Sequence, residues 1–571
     1  MSHIAETSVR DHDVRPALAK AQPQLGHKPL LLIIALAALP RLYWMLTEAP
    51  VISVDGSEYV RMAENLVQGK GLMGNFEGSA TMYTPLFSLL TAGVTLITKN
   101  AELAAHLVAL SCGIGLIVPI FYIARRMYGV HVAYLSAILA AIHPLLIALS
   151  GSIYNENVYL PLLLGGIYFG MRALEFNRIA DYVLLSVCLS LAYLTRPEAF
   201  VYPLFFALIV WANLLLRRIS VRRALRASLL IVGSFLVIAS PYIMFLHSRT
   251  GQFRLEGKWN INYTIENRIL SGMERDEAAY GLAPDSGVAG PLLSPSRFAA
   301  YTPFPHSILD KVHTLAGMAE RNRKTVTGLL LDTALGSPLV LFLLPIAWFR
   351  SSWSRRRLFH ECVLMSIALS ILFLWVTASL AEFRYVFPLV ALGVIWVAKG
   401  AQEFGRWTAR LILSLRLLAP GRVRRAAVIV EFILLFLISA LAFRSTQSDW
   451  LFRSEQKENL DIKEASLWLK KTSPGPKKIT CYATVPTYYA EGTLIGLPYA
   501  RSDQALRYLE MNKVDFVVLD AQYASDFPEV PDWINSGIPD RRAHRIYEVS
   551  SGPGRKIVIY RWDSGNPPSD R

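Results

Sequence analysis

Charged residues stand at the ends of the apolar stretches of this chain, and an aspartate opens the first such group. Asp55 precedes Gly56 and Ser57, and an amphipathic stretch follows in which Tyr59 and Met62 begin an apolar stripe of helical spacing. A carboxylate there can act as a general base toward a hydroxyl or an amine. Alternatively, either Asp55 or Ser57 can be the N-cap of the helix, which is a purely structural role.

Further acids and arginines lie in short turns between apolar stretches or inside one of them. The first is Glu156, which lies in a turn of its own. The others are Arg196 and Glu198 in the turn TRPE, Glu382 and Arg384 in the turn AEFRY, and Arg41 near the end of the first stretch. Charge inside or beside a membrane span is costly unless it is paired or used. Each residue could be a snorkelling or topology-determining residue. Together they predict a charged cavity at one surface.

Such a cavity suits the cleavage of a glycosyl–phosphate bond in a lipid-linked donor. Arginines bind phosphate, often through bidentate contacts, and the apolar stretches can hold a lipid tail. A nucleotide donor would need a phosphate-cradling loop, and the sequence has no Walker-type pattern. It has no HExxH or Cys/His zinc spacing either, although Asp55 and Glu156 could together hold a divalent cation such as Mg²⁺ or Mn²⁺.

The apolar stretches themselves identify a membrane protein. Of the 571 residues, 53% are hydrophobic and 18% are charged, which is too apolar for an ordinary soluble protein. The longer stretches reach the roughly 20 residues that a helix needs to cross a bilayer. We predict eleven spans, at about 29–47, 103–124, 130–149, 157–174, 181–195, 199–216, 227–246, 327–349, 361–380, 385–398 and 426–443.

One further apolar run, 85–98, decides the sidedness of everything that follows it. It is short for a crossing and opens with Pro85, so we predict an interfacial helix on the outer surface. The arginine-rich loops then all face the cytoplasm, as the positive-inside rule requires. We therefore expect a cytoplasmic N-terminus, an external C-terminus and a bacterial inner membrane. The formal net charge of +15 then reflects topology, and we expect no nucleic-acid partner.

Three regions follow from this arrangement: a cytoplasmic tail (1–28), a membrane domain (29–443) with external loops at 48–100 and 247–325, and an external α/β domain (444–571). In the α/β domain we predict helices at 459–471 and 503–512 and strands at 478–485, 514–519, 544–549 and 556–562. This domain could cover the active site, bind the acceptor or stabilise the fold, and the sequence does not decide among these roles.

Taken in order, these motifs resemble the GT-C-type membrane glycosyltransferases, and most closely the family-39-like group of protein O-mannosyltransferases and lipid A aminoarabinose transferases. The resemblance is carried by Asp55 with its following YxxxAENLxxGxG helix, the TP before the interfacial helix, Glu156, TRPE and E-x-R-Y-x-x-P. It implies an inverting transfer from a dolichyl- or undecaprenyl-phosphate sugar. By this resemblance Asp55 matches the catalytic first-loop acid and Glu156 the second-loop acid, so both are candidate catalytic residues, with Asp55 as the general base.

Two positions depart from the family pattern. The family often has Asp-Glu in the first loop, whereas Gly56 follows Asp55 here and the next acid is Glu58. The aminoarabinose branch has a lysine before the proline of the interfacial helix, whereas this chain has Thr84. The candidate donor-phosphate residues are therefore Arg384 first, then Arg61, Lys70 and Arg196. The candidate supporting residues are Glu58, Tyr83, Glu198, Glu382 and Arg41.

Two other classes of protein compete with this interpretation. A transporter or flippase of polyprenyl-linked sugars should show internal repeats and polar sites near the midplane, and no repeat is visible. An O-antigen ligase or polymerase would use a large external loop with Arg and His, and the loop 247–325 contains His306 and His313. Neither the sugar, hexose or pentose, nor the acceptor, which could be a protein, a lipid or a glycan, follows from the sequence.

Overall fold

The computed structural model describes residues 28–283, 289–301, 307–331, 338–349, 353–378, 381–415, 419–448, 459–524, 527–552 and 554–563. Within these ranges the chain is mostly helical, and one five-stranded sheet lies toward the C-terminus. The predicted cytoplasmic tail up to residue 27 and His306 lie outside the described residues.

Between residues 28 and 250 the chain forms twelve α-helices. They are α1 (Lys28–Thr47), α2 (Val54–Val67), α3 (Leu86–Thr98), α4 (Ala101–Gly115), α5 (Ile117–Tyr128), α6 (Val130–Ile142), α7 (Pro144–Gly151), α8 (Glu156–Phe176), α9 (Ile179–Tyr193), α10 (Val201–Leu215), α11 (Val221–Ser228) and α12 (Ser234–Thr250). A π-helical turn (Leu229–Gly233) joins α11 to α12, and a 3₁₀ turn (Pro197–Phe200) precedes α10.

The described part of the second half adds eight helices before the sheet domain and five within it. The eight are α13 (Trp259–Leu270), α14 (Arg275–Tyr280), α15 (Pro295–Tyr301), α16 (Ile308–Leu329), α17 (Pro338–Phe349), α18 (Arg355–Val376), α19 (Phe387–Ser414) and α20 (Pro420–Ser448). A 3₁₀ turn (Phe383–Val386) leads into α19. The five are α21 (Leu460–Thr472), α22 (Thr484–Tyr489), α23 (Ser502–Met511), α24 (Ala521–Ala524) and α25 (Val530–Asn535).

The chain is a polytopic helical membrane protein, and its helices follow the predicted spans. Among the described residues, seven helices are long and apolar enough to cross a membrane, or eight if the bent pair α6–α7 counts as one span. These eight coincide with predicted spans. The other three predicted spans coincide with α8, with α9 and, for 327–349, with the end of α16 and with α17. Residues 332–337 of that last span lie outside the described ranges, and the total of eleven stays a prediction.

A break between α6 and α7 explains one of the intramembrane charges. The two helices meet at 57°, at Pro144, whose ring cannot donate a helical hydrogen bond. The Arg41 guanidinium lies beside this break and donates to the carbonyls of Ala140 at 2.9 Å and Ala141 at 2.8 Å. It also donates to Ser150 Oγ at 3.3 Å. Arg41 therefore provides hydrogen-bond donors for the backbone carbonyls at the C-terminal end of α6.

The helix α3 has the size of the predicted interfacial helix. Its 13 residues are about 20 Å long, well short of the roughly 30 Å hydrocarbon core of a bilayer. One face packs on the protein through Phe87 and Thr91, while Leu96 and Ile97 are exposed on another. An apolar exposed face on a helix of this length fits a position on the membrane surface.

The C-terminal domain is built on a mixed sheet with strand order β2-β1-β3-β5-β4. Its strands are β1 (Lys478–Cys481), β2 (Thr493–Gly496), β3 (Phe516–Asp520), β4 (Ala543–Gly552) and β5 (Arg555–Trp562). β1 pairs in parallel with β2 and β3, whereas β5 is antiparallel to β3 and β4. The domain is the predicted α/β unit, with the predicted helices at α21 and α23.

One predicted strand is too long, and one strand was not predicted. The strand expected over 478–485 ends at Cys481, and 484–489 is the helix α22. Pro486 lies in the first turn of α22, where the missing N–H of proline costs no helical hydrogen bond, and it is therefore compatible with the start of a helix after β1. β2 was missed because its four residues show no clear alternation of apolar and polar side chains.

The C-terminal domain and the segment 48–100 share one hydrophobic core. Buried side chains of this segment, including Ile52, Tyr59 and Phe87, form a single cluster with Ile462 and Tyr489 of the C-terminal domain. The segment also reaches the edge of the sheet, where the Leu494 N–H donates to the carbonyl of Asn75 over 2.7 Å. The helix α2, which carries Asp55, is therefore packed against the C-terminal domain.

Candidate active site

Ser53, and neither Asp55 nor Ser57, is the N-cap of α2. The Ser53 side chain accepts a hydrogen bond from the Gly56 N–H at 3.1 Å, and Asp55 is already the second helical residue. The expectation that Asp55 or Ser57 caps the helix was wrong because the helix begins earlier than the first acidic residue. Asp55 is therefore not needed as the N-cap of α2.

Gly56 allows the start of α2 to lie against the turn that carries Glu156. A Cβ atom at Gly56 would lie 2.9 Å from the Ile153 carbonyl oxygen, closer than real Cβ atoms come. The Ser53 hydroxyl donates to that same carbonyl at 2.9 Å. The departure from the family's Asp-Glu pattern therefore has a steric reason, since only glycine permits this close approach at the residue after Asp55.

Arg384 is the centre of the site. Its guanidinium forms short ion pairs with the carboxylates of Asp55 and Glu382. A third carboxylate, that of Glu156, lies 3.9 Å from Arg384 Nε. Glu156 is fully buried, whereas the side chains of Asp55 and Arg384 are each 18% exposed. One arginine thus joins three of the predicted acids, and the site remains open on the side of Asp55.

Arg196 forms a second ion-pair group directly beside the first. Its guanidinium pairs with Glu156 and, at 2.5 Å, with Glu198. The Arg196 guanidinium also lies 4.7 Å from the centre of the ring of Tyr385, the residue that follows Arg384. Glu156 is therefore shared between Arg196 and Arg384. The structure brings together six predicted residues: Asp55, Glu156, Arg196, Glu198, Glu382 and Arg384.

Polar side chains hold the surrounding turns in place. Asn155 donates to the Tyr59 hydroxyl at 2.7 Å and to the Thr195 carbonyl at 3.0 Å, which links α2 to the turn that carries Arg196. Thr84 donates to the same carbonyl at 2.5 Å. Thr84, at the position where the aminoarabinose branch has a lysine, therefore forms a hydrogen bond that positions this turn.

Tyr83 and Lys258 complete the open side of the site. The Tyr83 hydroxyl donates to Asp55 Oδ1 at 3.4 Å. The Lys258 ammonium lies 5.7 Å from the centre of the Tyr83 ring, as in a cation–π contact. Lys258 was not predicted from the sequence. Its signal was a cation in the loop 247–325, but nothing in the sequence indicates that this loop folds back onto the segment 48–100.

These cations set the charge state of Asp55. Burial would raise its pKa, but the nearby positive charges of Arg384 and Lys258 outweigh burial and lower the pKa to about 2. Glu256 accepts the Lys258 N–H at 2.8 Å at the start of α13, and there burial outweighs the backbone N–H donors and the Lys258 charge and raises the pKa to about 6. Asp55 is therefore ionised throughout the physiological range while it is paired with Arg384.

Three other predicted residues lie away from this group. Arg41 satisfies the end of α6, as described above, and Arg61 donates to the carbonyls of Thr487 at 3.2 Å and Tyr488 at 2.9 Å in the C-terminal domain. Lys70 is exposed beyond the end of α2. Of the four predicted phosphate-binding cations, two are at the site: Arg384 is paired with Asp55, and Arg196 lies beside Arg384.

Glu58, one helical turn after Asp55, is buried beneath the loop that follows α2. Both of its carboxylate oxygens lie 3.1 Å from the Asn75 N–H. Burial raises the pKa of Glu58 to about 7, because the hydrogen bond from Asn75 only partly compensates for the loss of water. This acid therefore supports the fold of the loop and titrates near neutral pH.

Glu58→Gln should change how stability depends on pH. A carboxyl whose pKa is raised on folding stabilises the protein fully below its unfolded pKa of about 4.5, and this contribution is lost as the pH rises through 7. We therefore expect the Tm of the variant, relative to the wild type, to rise by about 2 °C or more between about pH 5 and pH 8. A Tm difference that is the same at both pH values would contradict this assignment.

A divalent cation at Asp55 and Glu156 stays a prediction. Both acids contact Arg384, so a cation bound between them would have to displace this guanidinium. Among the described residues, no group of three or more His, Cys, Asp or Glu side chains could hold a metal ion. No step of the reaction proposed for this site depends on one.

Comparison with known proteins connects this geometry to a fold. Residues 83–245 match the sequence profile of a family described as dolichyl-phosphate-mannose-protein mannosyltransferase. This segment includes Glu156, Arg196 and Glu198. A search of curated protein sequences finds no match.

Two solved structures are similar over most of this chain. ArnT from Cupriavidus metallidurans bound to undecaprenyl phosphate has a TM-score of 0.56 and 13% identity, over 94% of this chain and 98% of that one. The archaeal oligosaccharyltransferase AglB from Archaeoglobus fulgidus, in complex with an inhibitory peptide and a dolichol-phosphate, has a TM-score of 0.52 and 14% identity. It covers 94% of this chain and 75% of that one. At such identities the similarity is one of fold.

Proposed function

We infer that this chain, a membrane protein with the GT-C-type glycosyltransferase fold, transfers a sugar from a polyprenyl-phosphate donor to an acceptor at the Asp55–Arg384 site. The observation that carries the proposal is the position of Arg384, which pairs with Asp55 on α2 and also lies beside Glu156 from a distant turn. A base and a phosphate-binding cation thus share one partly open site.

The reaction follows from the roles of these side chains. The Asp55 carboxylate accepts the proton of the acceptor hydroxyl or amine, whose oxygen or nitrogen forms a bond to C1 of the sugar. The bond between C1 and the phosphate oxygen breaks, and polyprenyl phosphate leaves with the electron pair. Arg384 and Lys258 stabilise the negative charge on this phosphate. Attack opposite the leaving group inverts the configuration at C1.

Donor binding would also make Asp55 a stronger base. While Arg384 pairs with Asp55, the pKa of this carboxyl lies at about 2, which is low for a general base. A donor phosphate competes with Asp55 for the same guanidinium. When Arg384 turns toward the phosphate, the pKa of Asp55 rises, because the positive charge that lowered it is then shared with the donor.

The polyprenyl donor is supported by the fold and by the site together. The similar ArnT structure is a complex with undecaprenyl phosphate, and the similar AglB structure is a complex with a dolichol-phosphate. In this chain the Asp55 site includes Glu156, the first residue of the apolar helix α8, and Arg384, in the turn that leads into the apolar helix α19. The sugar, hexose or pentose, and the acceptor, whether protein, lipid or glycan, stay predictions.

Lys258→Met should weaken donor binding. Lys258 is the second cation near Asp55, and a charge-assisted contact to the donor phosphate contributes about 1.5–3 kcal/mol. We expect the KM for the donor to rise about tenfold or more with a smaller change in kcat. Lys70→Met removes the same charge from an exposed site and should leave the KM unchanged. An equal effect of the two substitutions would contradict the role of Lys258.

The proposal is tested with the purified protein in lipid nanodiscs and a synthetic polyprenyl-phosphate sugar. Wild-type protein should release polyprenyl phosphate and glycosylate an acceptor from a membrane extract. In proteoliposomes, movement of the intact donor across the bilayer without bond cleavage would instead indicate a transporter or flippase. The O-antigen ligase alternative gains no support from His313, which is exposed on α16.

A further inference from the structure

The C-terminal domain contacts the turn of α2 that carries Asp55. Thr484, the first residue of α22, donates its hydroxyl hydrogen to the Val54 carbonyl over 2.8 Å. The Ser57 hydroxyl lies 2.6 Å from the Thr484 hydroxyl and 2.7 Å from the same carbonyl. Ser57 and Thr484 are both buried. The hydroxyl groups of Ser57 and Thr484, from distant parts of the chain, therefore contact each other and the carbonyl of Val54, the residue before Asp55.

Further hydrogen bonds from the C-terminal domain hold the chain on both sides of this turn. Lys463 donates to the Pro50 carbonyl at 2.7 Å, and the Tyr489 hydroxyl accepts the Ile52 N–H at 3.2 Å. After Asp55, the Arg61 guanidinium donates to the Tyr488 carbonyl at 2.9 Å. The segment from Pro50 to Arg61 is thus fixed at several points along its length.

The C-terminal domain holds the backbone around Asp55 rather than the carboxylate itself. In the described part of the chain, the Asp55 carboxylate contacts Arg384 and Tyr83, both of the membrane domain. On the membrane side, Ser53 anchors the start of α2 to the Ile153 carbonyl. The first turn of α2 therefore lies between an anchor in the membrane domain and one in the C-terminal domain.

We propose that Thr484 is a positioning residue for the transfer reaction, because its hydroxyl fixes the first turn of α2 and thereby the distance from the Asp55 carboxylate to the reacting groups. The proposal rests on the proposed function, in which Asp55 is the base. A misplacement of about 1 Å can cost about 10²-fold in rate, even when its origin lies outside the chemistry. The C-terminal domain then contributes to catalysis by positioning α2, in addition to any role in covering the active site.

The test compares three substitutions in the full-length protein. Thr484→Val removes the hydroxyl while nearly conserving the shape, and we expect kcat to fall about tenfold with the donor KM nearly unchanged. Thr484→Ser keeps the hydroxyl and should retain wild-type kcat. The control is Thr472→Val, because the exposed Thr472 hydroxyl donates at 2.9 Å to Trp468 of its own helix, α21. This control should behave like the wild type.

A second variant covers the case in which Thr484→Val does not fold. Ser57→Ala removes the partner hydroxyl from the side of α2 and should lower kcat in the same way. If both variants fold, the double variant should be no slower than the slower single variant, because the two hydroxyls act through one contact. Wild-type kcat in folded Thr484→Val would overturn the proposal. If Thr484→Val does not fold, wild-type kcat in Ser57→Ala would overturn it.

Hydrogen exchange separates this proposal from the proposed function. In Thr484→Val and Ser57→Ala, amides of the peptide 52–62 should exchange faster, whereas peptides of α8 should not change. Wild-type protein without transferase activity would contradict the proposed function, and the exchange rates would still decide whether Thr484 fixes α2. Active wild-type protein with unchanged exchange and kcat in the variants would overturn the positioning role alone.

Discussion

Asp55→Asn should lower kcat for sugar transfer by about 10²–10⁴-fold, the usual contribution of a general base. Asparagine keeps the size of the side chain and can still accept the Tyr83 hydrogen bond, but it cannot accept the proton of the acceptor. The fold should persist because Ser53, and not Asp55, caps α2. Transfer is measured as glycosylated acceptor formed per unit time, at saturating donor, by mass spectrometry.

Glu77→Gln is the matched control for this prediction. Glu77 lies in the same segment, 48–100, its side chain is 67% exposed, and it pairs with Lys478 at 3.5 Å. Its loss should leave kcat unchanged. Both variants should bind donor with wild-type affinity or better, since Asp55→Asn releases Arg384 for the phosphate. Wild-type kcat in Asp55→Asn would refute the assignment of the base.

Arg384→Gln should have the second largest effect. The substitution leaves Asp55, Glu156 and Glu382 without their shared cation, and breaking a buried ion pair costs about 3–5 kcal/mol of stability. It also removes the guanidinium that stabilises the leaving phosphate, so kcat should fall about 10²–10³-fold, as for other preorganised donors of hydrogen bonds to developing charge. Affinity for polyprenyl monophosphate, the product, should fall as well.

Arg384→Lys separates charge from geometry. Lysine keeps the positive charge but cannot form the planar, bidentate contacts of arginine, so we expect a stability close to wild type and an intermediate kcat. Arg323→Gln is the control, since Arg323 is exposed on α16 and pairs only locally with Glu320 at 3.0 Å. Wild-type affinity of Arg384→Gln for polyprenyl monophosphate would contradict a phosphate-binding role.

Much of the site could be predicted from the sequence because membrane topology is a strong constraint. The placement of the run 85–98 on the outer surface put Asp55, Glu156, Arg196 and Arg384 on one side. A turn of only a few residues holds its charged side chains near the ends of the two helices that it joins. Charged residues from turns on the same side of the membrane domain therefore lie close together in the structure. The family resemblance, carried by motifs in a fixed order, identified the fold.

The partners of individual charges could not be predicted. Arg41 and Arg61 have the same side chain as Arg384, but one satisfies the broken end of α6 and the other holds the C-terminal domain. Their roles depend on backbone carbonyls, which are present at every residue and leave no pattern in the sequence. Lys258 and Thr484 were missed for a related reason, since each reaches Asp55 or its helix through a tertiary contact between distant segments.

The most direct test of the central claim follows the labelled sugar of one donor. Full-length protein in nanodiscs is incubated with a polyprenyl-phosphate sugar that carries ¹³C in the sugar, together with acceptor from a membrane extract. We predict that wild-type protein releases unlabelled polyprenyl phosphate and places the label on the acceptor through an inverted C1 linkage, and that Asp55→Asn does neither. Recovery of intact labelled donor from folded wild-type protein, or equal transfer by Asp55→Asn, would contradict the account.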